Sequence, residues 1–194
     1  MTNRKMTILF ASALLLPAFA GAGDMSYSYV EATVGQTEID VGNGNQVDGD
    51  GFGIAGSLAV APNVHLFADY TTADFDANVD ANTIRVGGGY NQGITESADL
   101  IVRLAYVQSE VQTPFGDFDE DGFGVGVGLR GTVAESFELE GGIDYVDLGG
   151  DSSGDTSFSG AARYFFTPMF AVGAGIAIGD DVTTYGINAR LNFK

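Results

Sequence analysis

The sequence predicts an all-β protein: a closed antiparallel transmembrane β-barrel, with ten strands expected and eight the alternative count. Three observations carry that expectation. Apolar residues recur with period two along most of the chain, as strands with two unlike faces require. Connections between the alternating runs are short at one end and mostly longer, polar and glycine-rich at the other, the pattern of a membrane barrel. Opposite the apolar face lies a second face that gathers arginines and acids among small residues, where a solvated surface would usually carry lysine.

Ten candidate strands follow from the turn signals, near 27–36, 51–60, 64–75, 81–91, 98–110, 121–132, 137–147, 156–166, 169–179 and 182–193. Ile84, Val86, Gly88 and Tyr90 alternate with Arg85, Gly87, Gly89 and Asn91. Leu100, Val102, Leu104 and Tyr106 alternate with Ile101, Arg103, Ala105 and Val107. In the last run Tyr185, Ile187, Ala189, Leu191 and Phe193 alternate with Gly186, Asn188, Arg190 and Asn192. Short connections are expected at Ala61-Pro62-Asn63, near 93–97, at 133–136 and at Thr167-Pro168, and longer loops at 37–50, 111–120 and 148–155. Tyr27 and Tyr29 break the parity of the first run, which leaves its facing open.

The chain has 194 residues, enough for one domain or one closed barrel. Its 26 acidic and 8 basic residues give a formal charge of -18, which argues against a nucleic-acid partner. With no cysteine there is no disulfide framework and no thiolate metal site. Arg4 and Lys5, the apolar run that follows and the small residues Ala20-Gly21-Ala22 read as a signal peptide over residues 1–22. That leaves a barrel domain over 23–194, with 26 acids against six bases and a charge near -20. The chain is therefore expected to be exported.

Every arginine after the leader (Arg85, Arg103, Arg130, Arg163 and Arg190) falls on the polar strand face, with Glu31, Asp69, Asp99, Glu138, Glu140 and Asp144. Opposite charges on strand interiors point to a paired polar lumen, since an unpaired buried charge costs several kcal/mol. The expected network comprises Glu31, Asp69, Arg85, Arg103, Glu140, Arg163 and Arg190. On the apolar face, Phe52, Tyr70, Tyr106, Phe123, Tyr145, Phe158 and Tyr185 mark the loop ends of strands. Tyr90, Phe137, Tyr164, Phe170 and Phe193 mark the turn ends. Two such rows resemble the girdles flanking the ~25 Å apolar band of a membrane barrel.

With those residues in place, the chain resembles the small OmpA/OmpX-like outer-membrane barrels of proteobacteria. It is most similar to a subgroup whose first strand bears Tyr29-Val30-Glu31. Better-known members have eight strands. The resemblance covers essentially all of residues 26–193 and implies the bacterial outer membrane, with its lipid and lipopolysaccharide as partners. The last run, notably Tyr185, Gly186, Leu191 and Phe193, resembles the assembly signal that such barrels present to their insertion machinery. Periplasmic chaperones are the implied partners during assembly. No single activity follows, because one fold hosts many functions.

Three motifs point elsewhere and weaken on inspection. Gly126–Gly131 and Gly51–Gly56 match a dinucleotide-binding spacing, but each lies inside a strand with no helix to meet a pyrophosphate. Asp117, Asp119 and Asp121, followed by Gly122, match the first half of a calcium loop. The twelfth position is Gly128 instead of a bidentate Glu, which leaves only a looser site for Ca²⁺ or Mg²⁺. His65 and Asp69 could form a base and its orienter, yet His65 sits beside the short Pro62-Asn63 turn, and a structural lumen histidine is expected. No catalytic residue and no bound cofactor are expected beyond weakly held Ca²⁺ or Mg²⁺.

Further acids lie at the loop end: Glu38, Asp40, Asp48, Asp50, Asp74, Asp76, Asp80, Asp147, Asp151, Asp155, Asp180 and Asp181, with no Lys or Arg among them. They form either a solvated rim or a place where divalent ions bridge to lipopolysaccharide. The expected function is non-enzymatic, in membrane integrity or surface interaction. The alternatives are a narrow passive channel for small solutes and a secreted calcium-binding β-protein.

Overall fold

Alternation without helical periods leaves strands as the only regular element the chain can form, and a sheet in lipid must close to satisfy its edges. The structure, a computed structural model, describes residues 26–42, 44–76, 78–149 and 154–193. The expected leader over 1–22, Asp151 and Lys194 lie outside them. Ten strands form: β1 (Tyr29–Gly42), β2 (Asn45–Ala61), β3 (Val64–Phe75), β4 (Val79–Thr95), β5 (Ala98–Thr113), β6 (Gly116–Ala134), β7 (Phe137–Asp147), β8 (Asp155–Thr167), β9 (Phe170–Ile178) and β10 (Val182–Asn192). Each pairs antiparallel with its sequence neighbours, and β10 closes onto β1.

The expected faces are the observed ones. Val86, Leu104, Val127 and Ile187 point outward and are exposed, while Arg85, Arg103 and Asn188 point inward and are buried. Both aromatic rows point outward, and Tyr106 and Phe123 are direct cross-strand neighbours in the upper one. Tyr27 and Tyr29, whose facing parity left open, are both buried on the inside.

At the turn end the four hairpins share one design. Pro62-Asn63, Glu96-Ser97, Glu135-Ser136 and Pro168-Met169 are two-residue turns, each preceded by a register shift in the strand that enters it. A carbonyl of each turn then accepts an N–H from a neighbouring strand. Asn91 donates to Asn63, Thr132 to Ser97, Phe165 to Ser136 and Asn192 to Met169, at 2.8–3.0 Å. Phe193 N–H to the Ser28 carbonyl, 2.9 Å, adds a bond across the seam.

The other end differs from expectation. Residues 37–50 and 111–120, expected as loops, are mostly strand, because β1–β2 and β5–β6 stay paired up to Gly42↔Asn45 and Thr113↔Gly116. Gly122 is therefore not a boundary between loop and strand: β6 runs through it. A polar, glycine-rich composition reads as loop, yet backbone pairing does not depend on side chains.

Above the upper aromatic row, face polarity inverts while the period stays two. On β1, outward Val34 gives way to Glu38 and inward Thr33 to Ile39; on β5, outward Leu104 gives way to Glu110 and inward Arg103 to Val111. The medium outside changes from lipid to water, so the apolar groups move to the inner face. This assignment has a direct test by chemical unfolding in lipid vesicles. Leu104→Arg, in the outward apolar band, should destabilise by about 2–4 kcal/mol, against about 0–1 kcal/mol for Gln108→Arg just above the aromatic row. Equal losses at the two positions would contradict the band.

Candidate functional site

The lumen collects the charges that the outer wall excludes. Cross-strand register sets opposite signs side by side: Glu31↔Arg190 on β1 and β10, Asp69↔Arg85 on β3 and β4, Glu138↔Arg163 on β7 and β8, and Arg130↔Glu140 on β6 and β7. Arg163 is the hub. Its Nε donates to Glu31 Oε2 at 3.2 Å, and its Nη1 donates to Glu138 Oε1 at 3.3 Å and to Glu140 Oε2. A β8 side chain that reaches β1 passes through the bore in front of β9 and β10. Arg190 Nε donates to the same Glu31 oxygen at 2.7 Å, and its guanidinium lies 4.0 Å from the Tyr29 ring centroid. Arg130 closes onto Glu138.

Two further pairs complete the charged storey. Arg85 Nε donates to both oxygens of Asp69, at 2.9 and 3.2 Å. Arg103 lies 3.6 Å from Asp144 and is stacked over Phe67. All seven residues expected in the lumen network are thus buried there. Arg130, Glu138 and Asp144, which strand parity also put on this face, are equally central.

At the turn end, Tyr27 donates its hydroxyl to Asp99 at 3.3 Å and stacks on His65 with centroids 4.6 Å apart. Neither nitrogen of the fully buried His65 ring has a hydrogen-bond partner among the described residues. Asp69 is committed to Arg85, so the His65–Asp69 base and orienter does not form. Tyr27 and Tyr29 are the lumen residues that sequence reasoning could not place.

Gly126, from one nucleotide-like motif, shares a steric task with two other inward glycines. A Cβ on Gly126 would lie 2.3 Å from Asp144 Oδ1, one on Gly89 2.2 Å from His65 Nε2, and one on Gly173 2.6 Å from Arg163 Cγ. Glycine notches in the wall are what let these large groups enter the bore.

Beside and above the charges the lumen turns apolar, which sequence reasoning missed. Phe67, Ala105, Val107, Val146 and Leu148 form one cluster, and Ile39, Ala73, Phe75 and Ala81 another, the latter packed by Val47, Val79, Val111 and Val182. Large apolar residues at inward parity (Ile39, Phe67, Phe75, Val107) were the available signal. A small cavity bordered by Arg85, Arg103, Asp144 and Phe67 lies where the storeys meet. Charged and apolar side chains together fill the interior of the bore.

The outer face of the hairpin end is acidic and in register. Glu38 opposes Asp48, Asp50 opposes Asp74, Asp74 opposes Asp80, and Glu110 opposes Asp119. Like charges directly opposite one another destabilise a sheet. Asp117, Asp119 and Asp121 are not brought together. They lie along extended β6 on one face, with successive spacings of roughly 7 Å, too far apart for one ion's shell. Among the described residues no group of three or more acids or histidines is arranged to hold a metal ion. Burial raises the pKa of Asp155, and the neighbouring Asp180 and Asp181 raise it further.

A family model described as the outer membrane protein beta-barrel domain matches residues 6–166. No curated protein matches the chain. Among solved structures it is similar to the KdgM porin in complex with disordered oligogalacturonate, with a TM-score of 0.51, 10% identity, and 86% of this chain and 99% of that one covered. The translocator domain of the autotransporter NalP from Neisseria meningitidis gives 0.50 and 9%, covering 86% and 88%. Neisserial surface protein A gives 0.45 and 16%, covering 85% and 96%. Likeness at such identities shows the fold alone.

Two measurements bear on this geometry. Glu31→Ala removes the shared partner of Arg163 and Arg190 and should destabilise by about 3–5 kcal/mol in chemical unfolding; a change below about 1 kcal/mol would contradict the hub. For Asp155 the raised pKa means that the folded state binds the proton more tightly than the unfolded one, so its contribution to stability falls as pH rises. Asp155→Asn should therefore raise the thermal transition at pH 7. The gain should shrink as the pH falls below the raised pKa and vanish below the ordinary carboxylate value of the unfolded chain, and a gain independent of pH would reject this origin.

Proposed function

Because the chain belongs to the family of outer membrane protein beta-barrel domains and lies in the bacterial outer membrane, we propose that it is a non-enzymatic, non-conducting barrel serving the integrity of that membrane. The observation that supports this reading is the filled bore: Arg163 reaches through it from β8 to β1, and two apolar clusters pack beside and above the charges. Of the earlier alternatives, the narrow channel is disfavoured by that filling. The secreted calcium-binding protein gives way to the outer-membrane location and the outward apolar wall.

The acidic collar adds a mode of attachment. Outward carboxylates opposed in pairs immediately above the aromatic row face the headgroup zone, where lipopolysaccharide is itself anionic. Ca²⁺ or Mg²⁺ takes six or more oxygens, and a carboxylate pair with lipid phosphates can supply them together. On this reading weakly held divalent ions join the collar to the lipopolysaccharide, each site being completed by the lipid. On β10, Tyr185, Leu191 and Phe193 point outward, and inward Gly186 lies between Gly35 and Gly175. This supports the role of the strand as the signal met by periplasmic chaperones and the insertion machinery.

Planar-bilayer recording of the folded protein should show no discrete conductance steps, and regular steps would sink the closed-bore reading. Equilibrium dialysis in lipopolysaccharide-containing vesicles should show Ca²⁺ binding at millimolar or lower concentration, lost in Asp50→Asn/Asp74→Asn/Asp80→Asn. Binding unchanged by those substitutions would remove the collar from the account.

A further inference from the structure

One rung of the sheet crosses four strands as Ala73↔Ala81↔Val111↔Phe118. It lies on the inner face above the upper aromatic row. Ala73 and Ala81 are buried in the upper apolar cluster, Val111 is half-buried against it, and Phe118 is 60% exposed. Phe115, at the turn of the same hairpin, is 98% exposed. The packed row thus runs out to the edge of the wall and is left uncovered. The reason is in the register: β7 accompanies β6 only from Phe123↔Asp147 downward, so among the described residues no strand flanks β6 at Phe118. Isolated exposed apolar residues are ordinary, but two aromatics that continue a packed row where the neighbouring strand stops form a patch.

The charges around this patch have one sign. Asp117, Asp119 and Asp121 line the outer face of the same stretch, Glu120 its inner face, and Glu110 stands opposite Asp119. The arginines are in the lumen storey, far below. A second copy of this chain presenting the same edge would set acids against acids, which disfavours self-association. Without divalent ions an anionic lipid surface is disfavoured for the same reason.

We infer that the hairpin-end edge of β6 is a docking site for a cationic amphipathic peptide segment. Its apolar side chains cover Val111, Phe115 and Phe118, and its Lys or Arg groups face Asp117, Asp119, Glu120 and Asp121. This goes beyond the envelope role and does not depend on the closed bore or the collar. Exposed aromatics beside complementary charge are the usual anchors of such contacts.

The test uses the full chain in nanodiscs of zwitterionic lipid and a synthetic peptide of alternating Lys and Leu with one Trp. The protein has no Trp, so with a Trp-free belt around the nanodisc the Trp emission reports the peptide alone. Saturable, salt-sensitive binding with a blue-shifted emission is expected. Phe115→Ala/Phe118→Ala should raise Kd about tenfold or more. Asp117→Asn/Asp119→Asn/Asp121→Asn should raise it and flatten the salt dependence, while Glu96→Gln/Glu135→Gln at the turn end should leave it unchanged. Heat-shifted gel mobility of each variant confirms that the barrel is folded. An unchanged Kd in Phe115→Ala/Phe118→Ala, or equal peptide binding to protein-free nanodiscs, overturns the proposal. Neither result would touch the conductance or dialysis readouts above.

Discussion

A guanidinium in the middle of a closed barrel has no bulk water to turn to, and the interior is arranged around that constraint at Arg163. Three carboxylates from two strands, Glu31, Glu138 and Glu140, answer its charge, and Arg130 and Arg190 share them, so three positive and three negative groups balance. The wall yields to the side chain at Gly173, where a Cβ would strike it. The seam is drawn into the same network, because Glu31 and Arg190 are register partners on the first and last strands. A register slip of two residues at the seam would keep every side chain on its proper face but separate those partners. Facing alone therefore does not define the seam, and the buried ion pair does.

The second constraint is the change of medium outside. Below the upper aromatic row lipid demands apolar groups outward and the bore receives the charges; above it water reverses both demands. The same period-two strand serves both zones, and only residue identity switches. The apolar inner face above the row is what keeps the bore from being a charged shaft along its whole length, through Ile39, Phe75 and Val107. It is also what leaves an uncovered margin where β7 parts from β6.

Strand number, facing and both aromatic rows were legible in the sequence, because alternation of Val, Leu and Ile with Gly, Arg and Asn is a direct image of two unlike surroundings. The lumen arginines were legible for the same reason. Strand ends at the water side were not: 37–50 and 111–120 carry the Gly and Asp content of loops, while their pairing comes from backbone groups that composition does not report. The Asp117, Asp119 and Asp121 spacing imitates a calcium loop because alternate positions on a strand share a face just as alternate ligands in a loop can. Tyr27 and Tyr29 were ambiguous since an aromatic at a strand end suits either a girdle or a lumen floor. Their burial in the folded barrel decides for the lumen.

The bonded turns at the lower rim have a mechanical meaning. Each two-residue turn is fastened to a strand beyond its own hairpin, from Asn63 to Asn91, Ser97 to Thr132, Ser136 to Phe165 and Met169 to Asn192, with Ser28 and Phe193 linking across the seam. Together they act as a hoop around a set of staves. A force that peels one hairpin is passed to the next as shear along many ladder bonds, so the rim bears load collectively and no single hairpin forms a weak point from which unravelling starts.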